Sequence, residues 1–477
     1  MNLKRIIWMA LAILFLAEIA IAQIVESTQR HRVLVLTDIE NEPDDAESLV
    51  RFLVYSNHYD VEGLVATTST HLRDKIADWR IHEIVDAYGK VRDNLEKHEQ
   101  GFPTHQFLKD RIKKGIPVYG LKGVGEGQDS EGSDWLIDVV DKNDDRPVWI
   151  SIWGGANVLA QSLWKVRQNR TKAELDQFVS KIRVYTISDQ DDSGFWMRKE
   201  FPNLFYIVSP GDNYRTATWS GISGEPQYGF ASGADTTLVQ NPWLRENIME
   251  NHGPLGAEYP EVEYAMEGDT PSFLALINNG LNVAEKPDFG GWGGRYELYK
   301  PRLLPYRELE GKKQEPRPIW TDAMDEVVGN DGKIYIDNHA SIWRWREAFQ
   351  HDFAARIDWT IMDYKEANHP PVPKIKELVN FKVKAGSSIS IDASESTDPD
   401  GNKLSYTWIH YPEPGNYHNV DWKPLKFEGK KTSNLKMIVP DYVKIKTPQT
   451  THIILEVTDN GSPSLTRYKR IIVTIVP

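Results

Sequence analysis

The sequence predicts two folded parts, an α/β domain built on a mostly parallel sheet with helices on both faces, and a C-terminal β-sandwich. Three observations carry this reading. Apolar runs of strand length alternate with helix-compatible stretches through the first half of the chain, a Pro-rich segment at 366–374 breaks that rhythm, and short alternating strands follow it.

Taken in order, the runs "RVLVLTD" (32–38), "EGLVATT" (62–68), "IPVYG" (116–120), "PVWISIWGG" (147–155), "IRVYTIS" (182–188) and "FYIVS" (205–209) read as buried strands. They are continuously apolar, as strands covered on both faces must be. Ligands of such sheets bind beyond the carboxyl ends of the strands. Asp38, Thr67, Thr68, Gly154, Gly155, Ser188 and Asp189 fall at those ends. From about 210 to 320 the chain is rich in Gly, Pro, Trp and Tyr without clear period, which suits long loops over a binding face. The spacing of Ile342, Trp345, Phe349 and Phe353 predicts a helix over 340–361 that packs back on the first domain. After the linker-like "EANHPPVPK", five strand segments within about 100 residues predict the sandwich. The expected division is a signal peptide at 1–22, an α/β domain at 23–365 and a sandwich at 366–477.

Composition narrows the function. The chain has 477 residues, 40% of them hydrophobic, enough for several cores. Lys4 and Arg5, the apolar run Ile6–Leu16 and the small residues Ala20–Ala22 form an export signal, so the protein is expected in the periplasm or outside the cell. The apolar run is too short to favour a spanning helix, and no stable membrane insertion is expected after cleavage. With no cysteine, disulfides, thiolate zinc sites and cysteine nucleophiles are excluded. The formal charge of −13 falls by one more unit without Lys4, Arg5 and Glu18, and such a surface repels nucleic acid. The 16 Trp and 20 Tyr fill cores and, in an exported protein, supply stacking surfaces for sugar rings. Homo-oligomerisation is left open.

The stretch "TDIENEPDD" puts Asp38, Glu40, Glu42, Asp44 and Asp45 on one strand-to-helix turn. Asp44 with Glu47 fits a helix capping box, which accounts for Asp44 alone. Like charges this dense repel unless a cation or several donors hold them. Calcium, which takes 6 to 8 oxygen ligands, suits such a turn; a metal or sugar-hydroxyl site and a solvated acidic loop both remain open. "SDQDDSGFW" brings Asp189, Asp191 and Asp192 with Trp196 to another strand end, where they contact substrate hydroxyls or form a solvated loop. Trp292 in "GGWGGRY" either stacks on a sugar or packs a loop, and Asn157 either reaches the site or caps a helix. His31, His71, His252 and His339 lack zinc-like partners and read as ordinary polar residues. Asp398 and Asp400 lie in turn sequences of the sandwich without an EF-hand pattern.

Asp38 followed by "DD" at a helix start resembles the aspartate signature of the nucleoside hydrolases. With "IWGGANVLA", "SDQDDSGFW", "EGDTPSFLALI", "GGWGGRY" and "IWRWREAFQHDFAARIDW", the chain more specifically resembles an exported bacterial family described as cellulose-binding, with a nucleoside-hydrolase-like domain and an immunoglobulin-like C-terminal domain. The resemblance implies a Rossmann-like sheet and Ca2+ held by Asp38, Asp45, Asp269 and the Trp153 carbonyl. It further implies Asp38 as the water-activating residue and Asp44 on sugar hydroxyls. Asp191, Asp192, Trp196, Asn157 and Trp292 complete the expected substrate set. Two departures stand out: five residues separate Asp38 from Asp44 where the signature has three, and Gly268 replaces the histidine tied to leaving-group protonation. Asp191, Asp192 or Glu267 could supply that acid. The expected function is a calcium-dependent glycosidase acting on an N- or O-glycosidic bond, with polysaccharide fragments favoured over free nucleosides. The alternative is a noncatalytic carbohydrate-binding protein on the same fold.

Overall fold

A computed structural model describes residues 29–299, 315, 318–376, 379–417, 424–441 and 446–477. The signal expected at 1–22 lies outside them. The chain divides into two compact units: Arg30–Ile277 with Gly290–Ala367, and Asn278–Phe289 with Asn368–Pro477.

The larger unit is organised by an eight-stranded sheet formed by β1 (His31–Thr37), β2 (Tyr59–Ala66), β3 (Ile112–Lys114), β4 (Val148–Ile152), β5 (Ile182–Ser188), β6 (Phe205–Ser209), β7 (Tyr296–Tyr299) and β8 (Ile319–Asp322). Its order is β3-β2-β1-β4-β5-β6-β8-β7, parallel except at β7–β8. Val33, Leu34, Val35 and Leu36 of β1 are wholly buried. Each apolar side chain so covered contributes roughly 1.5–3 kcal/mol of transfer free energy. Helices of eight residues or more are α1 (Asp44–Val54), α2 (Asp78–His98), α3 (Glu131–Asp141), α4 (Asn157–Asn169), α5 (Lys172–Ser180), α6 (Ser193–Glu200) and α7 (Arg346–Asp358). Strand order reverses at β1, flanked by β2 and β4, so the crevice past their carboxyl ends is the topological switch point. Among the described helices none is long and apolar enough to cross a membrane.

Two local expectations change. The run at 116–120 is not a strand, and the edge strand lies earlier, with Ile112 opposite Leu64 and Lys114 opposite Ala66. Gly115 closes the ladder by donating to the Ala66 carbonyl at 2.8 Å, and Pro117 has no N–H with which to extend it. The helix expected over 340–361 breaks between Ala340–Trp343 and α7.

The smaller unit pairs a four-stranded sheet, β11-β17-β16-β13, with a three-stranded one, β12-β15-β14. These are β11 (Asn380–Lys384), β12 (Ser388–Asp392), β13 (Ser405–Tyr411), β14 (Lys426–Glu428), β15 (Asn434–Ile438), β16 (Gln449–Thr458) and β17 (Thr466–Val476). β9 (Asp325–Val328) and β10 (Ile334–Asp337) form a separate antiparallel pair in the larger unit. Trp408, Ile453, Leu455 and Val473 of one sandwich sheet share a core with Ile391, Leu435 and Met437 of the other. Alternation exposed five of the seven strands to sequence reading; the five-residue β11, although it alternates Phe381 and Val383 with lysines, and the three-residue β14 were not read. Asn368 and His369, inside the linker-like segment, are buried here: Asn368 Nδ2 donates to both Asp459 oxygens, and the His369 backbone donates to Asp400 at 2.7 Å.

The "GGWGG" segment belongs to the larger core. Trp292 is 0% exposed, its ring edge-on to Phe349 at 6.3 Å, so it presents no face to a sugar and the stacking role expected for it is corrected. Gly294 has φ +92° against Thr218 and Ile342, a geometry that glycine adopts without strain. Replacing Trp292 by Ala is expected to cost about 3–5 kcal/mol in denaturant unfolding without changing ligand affinity among molecules that remain folded.

Candidate functional site

The acidic turn leaves β1 at Asp38. Asn41 donates to the Asp38 carbonyl at 3.1 Å, and Glu40 takes a left-handed φ of 72°. This strained turn accommodates the two extra residues between Asp38 and the aspartate pair. No capping box forms. Asp44 is the first helical residue and accepts from the Asp45 N–H at 3.1 Å, while Glu47 turns away to accept from the Glu267 N–H at 2.8 Å.

Asp44, Asp45 and Asp269 each offer a carboxylate oxygen within 4.8 Å of the other two. Asp44, expected on sugar hydroxyls, therefore takes the place in this triad that was expected of Asp38. Asp38 stands against it: burial and its neighbours push Asp45 and Asp269 well above the carboxylate range, and Asp38 contributes to both shifts. Burial, then the Glu42 and Asp38 charges, does the same for Asp44. The Asp38 carboxyl is pushed up to about 7 by burial, opposed by a hydrogen bond from Ser69. Asp45 accepts from the Thr37 hydroxyl, but Asp38 Oδ2 and Asp269 Oδ2 are buried without a hydrogen-bond partner. Carboxylates so crowded and underused are the donor set a hard divalent cation takes, and the residues fit calcium.

A second layer holds the cluster. Glu267, left-handed at φ 51°, is wholly buried and pairs with Arg51 at 2.5 Å. Tyr259 and Thr270 donate to the Glu267 carboxylate at 2.8 and 2.9 Å, and Arg51 also donates to the Phe349 carbonyl and to Gln350. Glu267 is thus committed to an ion pair and is not a free acid.

Several expected contacts instead organise the strand-end loops. Asn157 is 1% exposed and spends its amide on Thr68 and the Val118 carbonyl while accepting from Thr67. Asp191 accepts from Asn157 N at 3.1 Å and Ser193 N at 2.8 Å, and burial pushes its pKa up to about 6. Asp192, exposed, accepts from Leu121 N at 2.8 Å. Trp196 packs on Phe201 beneath the Arg167 guanidinium. The Trp153 carbonyl, expected on the metal, accepts from Gln190 at 2.7 Å, and its indole is core.

Sequence reading missed an aromatic wall. Trp219 Nε1 donates to Ser188 at 3.0 Å, and Tyr214 and Tyr228 stand edge-on to its ring at 5.3 and 6.0 Å. His71, read as ordinary, reaches the Tyr214 hydroxyl at 3.1 Å through Nε2. A Cβ built on Gly268 would lie 2.9 Å from Trp219 Cζ3 and 3.0 Å from Asp44 Oδ2, so the indole occupies the room a histidine there would need. Aromatic density in 210–230 was the available signal; its closure onto residues 44 and 268 is a tertiary fact.

A parallel sheet with an acidic cradle at the end of its first strand defines a nucleoside-hydrolase-like protein. Residues 32–296 match the model for the nucleoside hydrolase-like domain of cellulose-binding Sde182, and residues 388–475 match that for the C-terminal domain of cellulose-binding protein Sde0182. The chain belongs to this Sde182 family. A nucleoside hydrolase-related protein from Saccharophagus degradans, described as associated with carbohydrate metabolism, is 36% identical over 94% of this chain and 100% of its own, with a TM-score of 0.77. The type III effector XopQ, solved with adenosine diphosphate ribose, aligns at 11% identity over 72% of this chain and 98% of its own, with a TM-score of only 0.33. No curated protein matches.

Removing one charge from the cluster relieves repulsion when no cation is bound. In excess chelator, Asp269→Asn is expected to raise the melting temperature, whereas Glu267→Gln, which leaves Arg51 buried without its charge partner, is expected to cost about 3–5 kcal/mol. Scanning calorimetry of the two variants checks both signs.

Proposed function

We propose that the protein is an exported, calcium-dependent glycosidase that hydrolyses an N- or O-glycosidic bond in a carbohydrate, with polysaccharide fragments preferred to free nucleosides. The observation that carries this reading is the triad of Asp44, Asp45 and Asp269 beside Asp38, with two buried oxygens lacking partners. Export, to the periplasm or beyond the cell, is supported by the leader-like residues 1–22. The carbohydrate preference is supported by the family's cellulose-binding description and by the relative associated with carbohydrate metabolism.

Asp44, Asp45 and Asp269 would hold the calcium, with Asp38 alongside. Bound there, calcium supplies positive charge that neutralises the cluster and orders a water and vicinal sugar hydroxyls. Asp38 Oδ2, buried and without a hydrogen-bond partner, accepts the proton of the attacking water as an oxocarbenium-like state develops at the anomeric carbon. Glu42, half-buried and near enough for its charge to act on Asp38 and Asp44, would accept from sugar hydroxyls.

A second reading rests on Gly268. Trp219 fills the space of the absent histidine, Glu267 is paired with Arg51, and Asp191 and Asp192 cap backbone N–H groups. A chain without a leaving-group acid would bind carbohydrate without cleaving it. Product release from a panel of β-glucan oligosaccharides and nucleosides separates the two. For the enzyme, Asp38→Asn is expected to lower kcat by at least about 100-fold while sugar affinity changes little. Sugar binding with no product from wild type favours the binder.

A further inference from the structure

The wall that displaces the histidine has a use of its own. Trp219 is 4% exposed, and its Cζ3 and Asp44 Oδ2 lie 2.9 and 3.0 Å from where a side chain at Gly268 would begin, so the indole stands beside the carboxylate cradle. In front of it, Tyr214 and Tyr228 are only half-buried, their ring centres 6.4 Å apart and their planes 76° to each other. Both rings pack on Trp219, whose Cζ3 lies beside the Gly268 position next to Asp44. Beyond the effect of burial, Tyr214 feels the charges of Asp38 and Glu42, and Tyr228 those of Asp44, Glu42 and Asp269. His71, exposed at the rim, fixes the Tyr214 hydroxyl at 3.1 Å. Aromatic faces therefore stand beside a row of acceptors, on one rim of one site.

This combination discriminates among sugars. A pyranose whose hydroxyls are all equatorial has C–H bonds on both faces and its hydroxyls around its edge; an axial hydroxyl puts a polar group on a face. Aromatic rings accept the first kind of face, and carboxylates at the edge accept its hydroxyls.

We infer that Tyr214 and Tyr228, backed by Trp219 and steadied by His71, form a stacking subsite that selects a gluco-configured pyranose and places its hydroxyl edge on Glu42 and Asp44. The subsite rests on the carbohydrate reading above and makes it specific. Tyr214 and Tyr228 act by contact with the sugar, His71 by positioning Tyr214.

The test is calorimetric titration of the full chain in calcium with cellotetraose and with mannotetraose, whose 2-hydroxyl is axial. Wild type is expected to prefer cellotetraose by at least about tenfold, Tyr228→Ala and Tyr214→Ala to lose at least about tenfold, and Tyr228→Phe, which keeps the ring, to bind within about twofold of wild type. Hydrogen exchange on wild type gives a readout that does not depend on the variants folding: cellotetraose is expected to slow exchange across residues 212–230. Wild-type binding that is unchanged by both alanine substitutions, or that leaves exchange over 212–230 unaltered, overturns the subsite while the carbohydrate reading stands. Failure of wild type to bind any oligosaccharide overturns the carbohydrate reading itself.

Discussion

Mutual repulsion among the carboxylates at the end of β1 is the constraint on which the site depends. Among the described residues no ion pair reaches Asp38, Asp44, Asp45 or Asp269, although three of the four are at most 3% exposed. An isolated buried carboxylate costs several kcal/mol, and a set of them persists only if protonated or shared by a cation. Arg51, on the helix that begins with Asp44 and Asp45, is spent on Glu267. The fold has therefore placed its basic group one layer behind the site and left the front layer anionic. That separation makes the cluster a receptor for positive charge.

The second layer explains how distant segments arrive together. Glu47 and Arg51 of α1, the left-handed turn at Glu267 and Gln350 of α7 share one buried network. The same turn presents Asp269 to the front layer. Strain at Glu267, of order 1–3 kcal/mol, is sustained because the network determines its turn. Gly268 lies between these roles and leaves its space to Trp219.

Much of this was legible in the sequence because it is local. Continuous apolar runs gave five of the first six strands, and their carboxyl ends located Asp38. The cluster members Asp44, Asp45 and Asp269 were recognisable by motif. The illegible part is tertiary. Asp44 and Glu47 have the spacing of a capping box, yet Glu47 finds a better donor 220 residues away in Glu267. Trp292 and Trp219 are both tryptophans in glycine-containing loop sequence; only folding decides that Trp292 enters the core and Trp219 borders the acids. Asn157, Asp191 and Asp192 lie at strand ends, as expected of binding residues, but satisfy backbone and hydroxyl groups of neighbouring loops.

The most direct test of the central claim is calcium titration of the metal-depleted full chain by calorimetry, with Asp45→Asn and Asp398→Asn as paired variants. The expected result is one calcium bound by wild type, retained by Asp398→Asn and lost by a folded Asp45→Asn. Absence of calcium binding by wild type, or its loss only in the sandwich variant, would contradict the assignment of the β1 carboxylates as a cation cradle.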